Sequence, residues 1–353
     1  MSPGGWNGTT GSVTVEDLTA TTTYRLSCTG PDGEAEDTVH IVVTSPPGTQ
    51  IVFQSSDNSI SDIYVANADG SGLTRLTDYA DADLAPSWSG DGRQIYFLSS
   101  NRDGRGTVDL YTMNADGTGV HLVVASIYSS GELHQAYAVS PNGTRIALGA
   151  ITPLQSPSNV DLFVMNLDGS ERTRIVDLPC PYYDSGCHHL EALAWSPDGQ
   201  RIAYSTRSRG HGFSTSGYLG VVNADGTGQQ FLTTSGARST EPAWAPDGQR
   251  IVFSSSPTNP SYISTLVDLE IINADGTGRI VLLDGDADGM ANTSPSWSPD
   301  GQSIVFARFS PGTDWVVPGQ SELFAVKVDG TGLRRVTSVP GGAFAPDWNP
   351  AGP

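Results

Sequence analysis

The chain has 353 residues, including 41 glycines and 23 prolines, and 37% of its residues are hydrophobic. Glycine and proline at this frequency argue against long helices, and no apolar stretch reaches the roughly 20 residues of a membrane helix. A formal net charge of −20 disfavours nucleic acid and anionic membranes as partners. Solvated acidic surface is favoured over cation binding as the reason for this charge.

The first segment, residues 1–44, alternates polar and apolar residues in runs such as SVTV, TYRLSC and VHIVV. This alternation predicts β-strands. The segment resembles the C-terminal half of a bacterial immunoglobulin-like domain, with Leu18, Tyr24 and Cys28 near the late-strand pattern. The resemblance implies a small partial β-sandwich cut from a larger surface protein, which is marginal by itself because its inner face stays uncovered. Residues 45–50 are predicted to form a stiff linker.

Residues 51–353 carry two motifs that alternate at intervals of about 50 residues. The first, typified by WSPDGQRIAY, is a tryptophan, a turn and an apolar triplet. Its copies begin at Trp88, Val139, Trp195, Trp244, Trp297 and Trp348. The second motif is NADGTG, with copies at 67–72, 114–119, 166–171, 223–228, 273–278 and 327–332.

Each repeat predicts four short strands, and six such repeats predict an all-β fold, a six-bladed β-propeller of four-stranded blades. The repeat region begins at Ile51 with a second strand and reaches a last first strand near Trp348. The C-terminal strand is therefore predicted to close the first blade and remove a free edge.

The motif pair resembles the TolB-like propeller repeat, also called the PD40 or WD40-like repeat, over 51–353. The resemblance implies a bacterial, extracytoplasmic propeller, periplasmic or extracellular at the cell surface, although no signal peptide is visible. We expect a monomer without membrane insertion. The α/β domain that precedes the propeller in TolB is not recognisable here, which puts TolB's own cell-envelope role in doubt.

The NADGTG motif has three interpretations: a cation loop, a catalytic acid or a hairpin turn. Asp-Gly supplies the positive φ of a tight hairpin, and six copies spread around a ring cannot pool their carboxylates. The turn is therefore favoured. The short turns share one face of a propeller, so we expect function at the opposite, long-loop face and at the channel mouth there.

A segment punctuated by proline and glycine, PCPYYDSGCHH, precedes the motif copy at Trp195. It contains Cys180 and Cys187, and a disulfide is predicted there, with two reduced thiols as the alternative. His188, His189 and Glu191 follow at once, and His134 occupies the equivalent place one blade earlier. Imidazoles and a carboxylate at a channel mouth would bind a transition metal or act as acid and base, but exposed loop histidines are the favoured interpretation.

Two other long loops contain arginine and aromatic residues, which are typical of binding hot spots. The candidates for ligand or partner binding are Arg207, Arg209, Phe213, Phe309 and Trp315. The alternative is that the aromatic side chains pack within their own loops.

Asp284, Asp286 and Asp288, followed by Gly289, match the first half of a calcium loop. The position that requires a bidentate glutamate is Pro295, so an acidic solvated loop is favoured and calcium is the alternative.

The sequence contains no G-x-S-x-G nucleophile elbow and no P-loop. We therefore expect a non-catalytic binding scaffold that recognises a protein or glycan through the long-loop face. The alternative is a metal-assisted polysaccharide lyase or hydrolase that uses His134, His188, His189 and Glu191.

Overall fold

The computed structural model describes part of the chain, which divides into two compact regions, Met1–Pro46 and Pro47–Pro353. The described residues are 22–30, 33–41, 49–57, 60–100, 102, 104, 106–129, 136–151, 160–178, 187–209, 217–233, 237–257, 266–310, 321–339 and 341–351. None of their helices is long and apolar enough to cross a membrane.

The described residues of the first region form one antiparallel hairpin. Strand β1 (Thr22–Gly30) pairs with β2 (Gly33–Ile41) along its full length. Tyr24 and Cys28 lie on β1, whereas Leu18 lies outside the described residues. The immunoglobulin-like resemblance therefore stays a prediction.

The described residues of the second region form six four-stranded groups, which we name units I to VI. Unit I comprises β26 (Ala343–Trp348), β3 (Gln50–Asp57), β4 (Ile60–Asn67) and β5 (Thr74–Arg75). Unit II comprises β6 (Asp83–Trp88), β7 (Gln94–Ser100), β8 (Thr107–Asn114) and β9 (His121–Ser129). Unit III comprises β10 (Tyr137–Val139), β11 (Arg145–Ile151), β12 (Val160–Asn166) and β13 (Thr173–Val176).

Unit IV comprises β14 (Cys187–Trp195), β15 (Arg201–Arg209), β16 (Leu219–Asn223) and β17 (Gln230–Phe231). Unit V comprises β18 (Ala237–Trp244), β19 (Arg250–Pro257), β20 (Asp268–Asn273) and β21 (Ile280–Leu283). Unit VI comprises β22 (Ala291–Trp297), β23 (Ser303–Phe309), β24 (Glu322–Lys327) and β25 (Arg334–Arg335). A single parallel pair, Val160 with His189, joins units III and IV into one sheet, and the short helix α1 (Gly285–Asp288) precedes β22.

The middle strands of each unit are buried on both faces, which explains why their sequences are apolar at successive positions. In β7, for example, the five residues from Ile95 to Ser99 are all buried. The fourth strands are more exposed, as in β5 and β25. The structure thus confirms the predicted all-β fold of four-stranded sheets.

Six apolar clusters lie between successive units and hold them in a closed ring. The cluster between units IV and V, for instance, packs Ala203 and Leu219 against Trp244 and Phe253. The cluster between units VI and I packs Val305 and Leu323 against residues of β3 and β26. Because the last cluster joins the sixth unit to the first, each sheet of units I to VI is covered on both faces.

The first strands of the units, β26, β6, β10, β14, β18 and β22, lie side by side and form what we call the inner ring. Tryptophan indoles join these strands. Trp195 Nε1 donates to the Ala138 carbonyl at 2.9 Å, and Trp244 Nε1 donates to the Ala194 carbonyl at 3.2 Å. An arginine of the preceding unit covers each of these rings, as Arg201 covers Trp244 at 4.6 Å. The repeated tryptophan therefore ties units II, IV, V and VI each to the unit before it.

Four first strands contain a β-bulge at a residue that precedes proline and has positive φ. These residues are Ala85 (φ 48°), Glu241 (φ 53°), Ser294 (φ 53°) and Ala345 (φ 46°). A fully buried phenylalanine of the adjacent second strand lies opposite each bulge, as Phe253 does beside Glu241. A bulge releases its residue from the strand ladder, so that residue is free to contact the neighbouring unit.

The NADGTG copies form tight turns between third and fourth strands. In the copy at 273–278, the Thr277 N–H and hydroxyl both donate to Asp275 Oδ1, at 2.9 and 2.6 Å. Gly276 has φ 87°, where a side chain would be strained. Hydrogen bonding to Thr277 lowers the pKa of Asp275, which keeps the carboxylate charged and engaged within its own turn. The structure thus confirms the turn interpretation.

Candidate functional site

Three carboxylates lie at junctions between units on the inner ring, and two of them are saturated with hydrogen bonds. Glu241 in unit V accepts from the Ser254 hydroxyl at 3.0 Å, and from the Ser294 N–H and hydroxyl at 2.7 and 3.0 Å. Ser294 is the bulge residue of unit VI, so its amide receives an acceptor that the strand ladder does not supply. Glu241 therefore links unit V to unit VI, and we call a carboxylate that links two units in this way a fastener.

Asp347 plays the same part where unit I meets its two neighbours. Its Oδ2 accepts the Trp88 N–H at 2.8 Å and its Oδ1 accepts the Ser296 hydroxyl at 3.0 Å. Burial raises the pKa of Asp347 to about 6, although these hydrogen bonds lower it. This carboxylate also serves the structure of the ring.

The third carboxylate, Glu191, has a different environment at the junction of units IV and V. It is the extra residue of a bulge in β14, since Leu190 pairs with Thr206 and Ala192 pairs with Ser205. Its Oε1 accepts from Arg238 of unit V in a partly buried ion pair. The pair joins two units, but it leaves polar atoms of both partners unused.

Strand alternation directs further polar side chains into the same junction. On β15, Ala203 packs in the apolar cluster shared with unit V, so Ser205 and Arg207 point the same way. On β19, Phe253 packs in that cluster from the other side, so Ser255 and its register partner Ser239 face unit IV. The apolar cluster thus becomes polar towards the long-loop end of the ring.

Several buried polar atoms of this junction have no hydrogen-bond partner among the described residues. These atoms are Glu191 Oε2, Arg207 Nε, Arg238 Nε, Ser205 Oγ and Ser239 Oγ. Asp109 Oδ2 and Thr112 Oγ1 of unit II share that property. Because an unpaired buried donor or acceptor costs about 1–3 kcal/mol, such a group calls for a functional explanation. We call Glu191, Ser205, Arg207, Arg238 and Ser239 the junction site.

The structure brings three sequence-predicted residues to this place. His189 and Arg207 are register partners on β14 and β15, and Glu191 lies two residues beyond His189. His188, Arg209 and Cys187 also lie on these strands, but their side chains are outside the described set. Phe309 lies on β23, two units away.

The remaining candidates, His134, Phe213, Trp315 and Cys180, lie outside the described residues. The disulfide and the four-residue acid–base or metal centre therefore stay predictions. Within the described part of the chain, no three histidine, cysteine, aspartate or glutamate side chains are grouped to hold a metal ion.

The aspartates of the predicted calcium loop have other partners. Asp284 caps α1, and its Oδ1 accepts the Ala287 N–H at 3.0 Å. Asp288 forms an ion pair with the buried Arg308. Asp286 lies exposed in the first turn of the helix. Calcium binding by these three residues stays a prediction.

Sequence reasoning missed Arg238, Ser205 and Ser239 of the junction site, as well as the fasteners Glu241 and Asp347. A usable signal was present for the fasteners. The residues before Trp88, Trp244, Trp297 and Trp348 read APS, EPA, SPS and APD, and the proline repeated at the same place in each copy marks the bulge. No comparable pattern marks the junction site, because its residues meet only across two units.

Comparisons with known proteins agree with this architecture. A sequence-family model described as the TolB beta propeller domain matches residues 33–149. The fold also matches the crystal structure of TolB from Acinetobacter baumannii, with a TM-score of 0.62 and 19% identity over 85% of this chain and 66% of that one. The fold is that of a TolB-like β-propeller. A putative TolB from Agrobacterium tumefaciens gives a TM-score of 0.60 and 17% identity, over 85% of this chain and 93% of that one.

The chain also matches curated proteins over shorter stretches. It is 29% identical over 164 residues to the uncharacterized protein Atu1656 of Agrobacterium fabrum, which covers 45% of this chain and 52% of that protein. It is 41% identical over 46 residues to the Tol-Pal system protein TolB of Anaeromyxobacter dehalogenans, or 13% of this chain and 11% of that protein. The chain thus spans about half of the first relative and about a tenth of the second.

Proposed function

We propose that this TolB-like propeller is a non-catalytic binding protein that recognises a partner protein at the long-loop end of its inner ring. The observation that carries the proposal is the junction site, where buried polar atoms from two units lack partners within the described residues. A ring with unsaturated polar groups at one end is suited to binding, because a ligand supplies the missing hydrogen bonds.

The opposite end of the ring supports the choice of face. There the aspartates of the turn motifs are used within their own turns, as Asp275 and Asp329 are. We further propose an extracytoplasmic location, periplasmic or at the cell surface, in keeping with the name of the Tol-Pal relative. A glycan ligand is the competing class.

Affinity capture from envelope and extracellular extracts tests the proposal. The immobilised full chain would be compared with Arg207→Gln, which alters the junction site, and with Arg93→Gln, which removes an exposed arginine from a turn at the other end. We expect Arg207→Gln to lose a captured protein that the wild type and Arg93→Gln both retain. Equal capture by all three proteins would contradict the choice of face. Capture of glycan alone would contradict the protein partner.

A further inference from the structure

We propose that the junction site binds a single carboxylate group of the partner protein, with Arg207 and Arg238 as the donors. This inference rests on the proposed function and specifies the chemistry that the site recognises. The junction site contains two guanidinium groups, those of Arg207 and Arg238, and one carboxylate, that of Glu191, which pairs with Arg238. These three side chains together carry a net positive charge in a chain of net charge −20.

Arg207 is the donor with the most unused capacity. Its side chain forms no hydrogen bond or ion pair with the described residues, and its Nε is buried. Arg238 donates from Nη2 to Glu191 and likewise has a buried Nε without a partner among the described residues. The Nε and Nη2 of a guanidinium form a fork that matches the two oxygens of a carboxylate, and such charge-assisted pairs are about twice as strong as neutral hydrogen bonds.

Two hydroxyls complete the donor set. Ser205 from unit IV and Ser239 from unit V are fully buried, and their Oγ atoms have no partner among the described residues. Because a carboxylate offers about four lone-pair sites, it accepts from guanidinium and hydroxyl donors together. A neutral ligand would leave the guanidinium charge uncompensated.

The overall charge of the chain limits the ligand to one negative group. A ligand with one negative charge is attracted to a positive site. A polyanion such as a polyuronate also brings its other negative charges against the acidic surface around the site, which repels them. Single carboxylates occur on proteins as chain termini or isolated acidic side chains. The charge balance therefore favours a peptide carboxylate over an acidic glycan.

Nuclear magnetic resonance of the arginine Nε–H groups of the full chain tests the assignment. N-acetylglycine, which carries a carboxylate on a peptide unit, would be titrated beside N-acetylglycinamide, which lacks the charge, and beside trigalacturonate. We expect N-acetylglycine to shift the Nε–H signals of Arg207 and Arg238 but not that of Arg201, which covers Trp244. Arg207→Gln should weaken this binding by at least about tenfold, and Arg207→Lys by less, because lysine keeps the charge but not the fork.

Three outcomes would overturn the inference: no shift with N-acetylglycine, equal shifts with the amide, or shifts with trigalacturonate alone. Arg207→Lys also separates lost recognition from lost folding, since its unchanged spectrum elsewhere reports an intact ring. The result is separable from the proposed function. A captured partner that binds Arg207→Gln as well as wild type overturns the carboxylate assignment only, whereas N-acetylglycine binding without any captured protein overturns the proposed function only.

Discussion

Two neighbouring junctions of the inner ring each combine a bulge glutamate of a first strand with a serine at the same position of a second strand, but the glutamates find different partners. At the junction of units V and VI, Glu241 binds Ser254 of its own unit and Ser294 of the next. At the junction of units IV and V, Ser205 takes the place of Ser254, but its hydroxyl has no partner among the described residues. Glu191, one residue further from its tryptophan than Glu241, accepts from Arg238 of unit V.

The difference shows how one repeat serves both stability and binding. A saturated carboxylate stabilises the ring because each buried donor receives an acceptor. The junction site forgoes part of that stabilisation, and its unused donors become available to a ligand. Substitutions at matched positions should therefore have unequal effects on stability and on binding.

The largest expected effect on stability is at the junction of units V and VI, where Glu241 is saturated with hydrogen bonds. Glu241→Ala should lower the free energy of unfolding by about 3 kcal/mol, because the Ser294 N–H and two hydroxyls lose a charged acceptor. Glu191→Ala should cost less than about 1.5 kcal/mol, since its ion pair with Arg238 is partly exposed. Urea unfolding of both variants checks this order, and an equal or reversed order would break the distinction between the junctions.

The pH dependence of stability should report Asp347. Its pKa is raised to about 6 in the folded ring, above the value of about 4 for an unfolded aspartate, so its contribution favours folding below pH 4 and is lost as pH rises through 6. The loss amounts to about 2–3 kcal/mol by linkage.

Urea unfolding between pH 4.5 and 7.5 measures that loss as the difference between the wild type and Asp347→Asn. The variant retains the shape of the side chain but does not titrate, so its stability should fall less over this range. Parallel curves for the two proteins would show that Asp347 titrates normally and that the fastener is not buried in solution.

Substitutions of the two matched serines, Ser254 and Ser205, should change the free energy of unfolding in opposite directions. Ser254→Ala should lower the free energy of unfolding by about 1 kcal/mol because Glu241 loses a donor, whereas Ser205→Ala should be neutral or stabilising by up to about 1 kcal/mol. Both exchanges remove one oxygen from equivalent strand positions, so each is the control for the other. A loss of equal size in both would mean that Ser205 is already satisfied.

The smallest expected effect concerns calcium. We expect millimolar calcium and chelator to give melting temperatures within about 1 °C of each other, since Asp284 caps α1 and Asp288 pairs with Arg308. Asp286→Asn is the matched control for any general charge effect. A larger rise with calcium that Asp286→Asn abolishes would support a calcium loop at 284–288.

The sequence predicted the repeated elements well because each depends on nearby residues. Asp-Gly dictates the turn at 273–278, and successive apolar residues dictate buried strands such as β7. The place of the candidate site was predicted only in part. His189, Glu191 and Arg207 were chosen for their types and loop positions, and the register of β14 and β15 does bring them together. Arg238 was overlooked because its partner is 47 residues away in sequence.

The sequence by itself determined the local chemistry: where the chain turns, which strands are buried and that a four-stranded repeat occurs again and again. Only the tertiary structure decided which side chains use one another. Glu241 and Glu191 are both glutamates of inner-ring bulges, yet Ser294 saturates the first and Arg238 engages the second. That choice depends on the residues that the neighbouring unit presents, because hydrogen bonds between units join positions that sequence spacing does not relate.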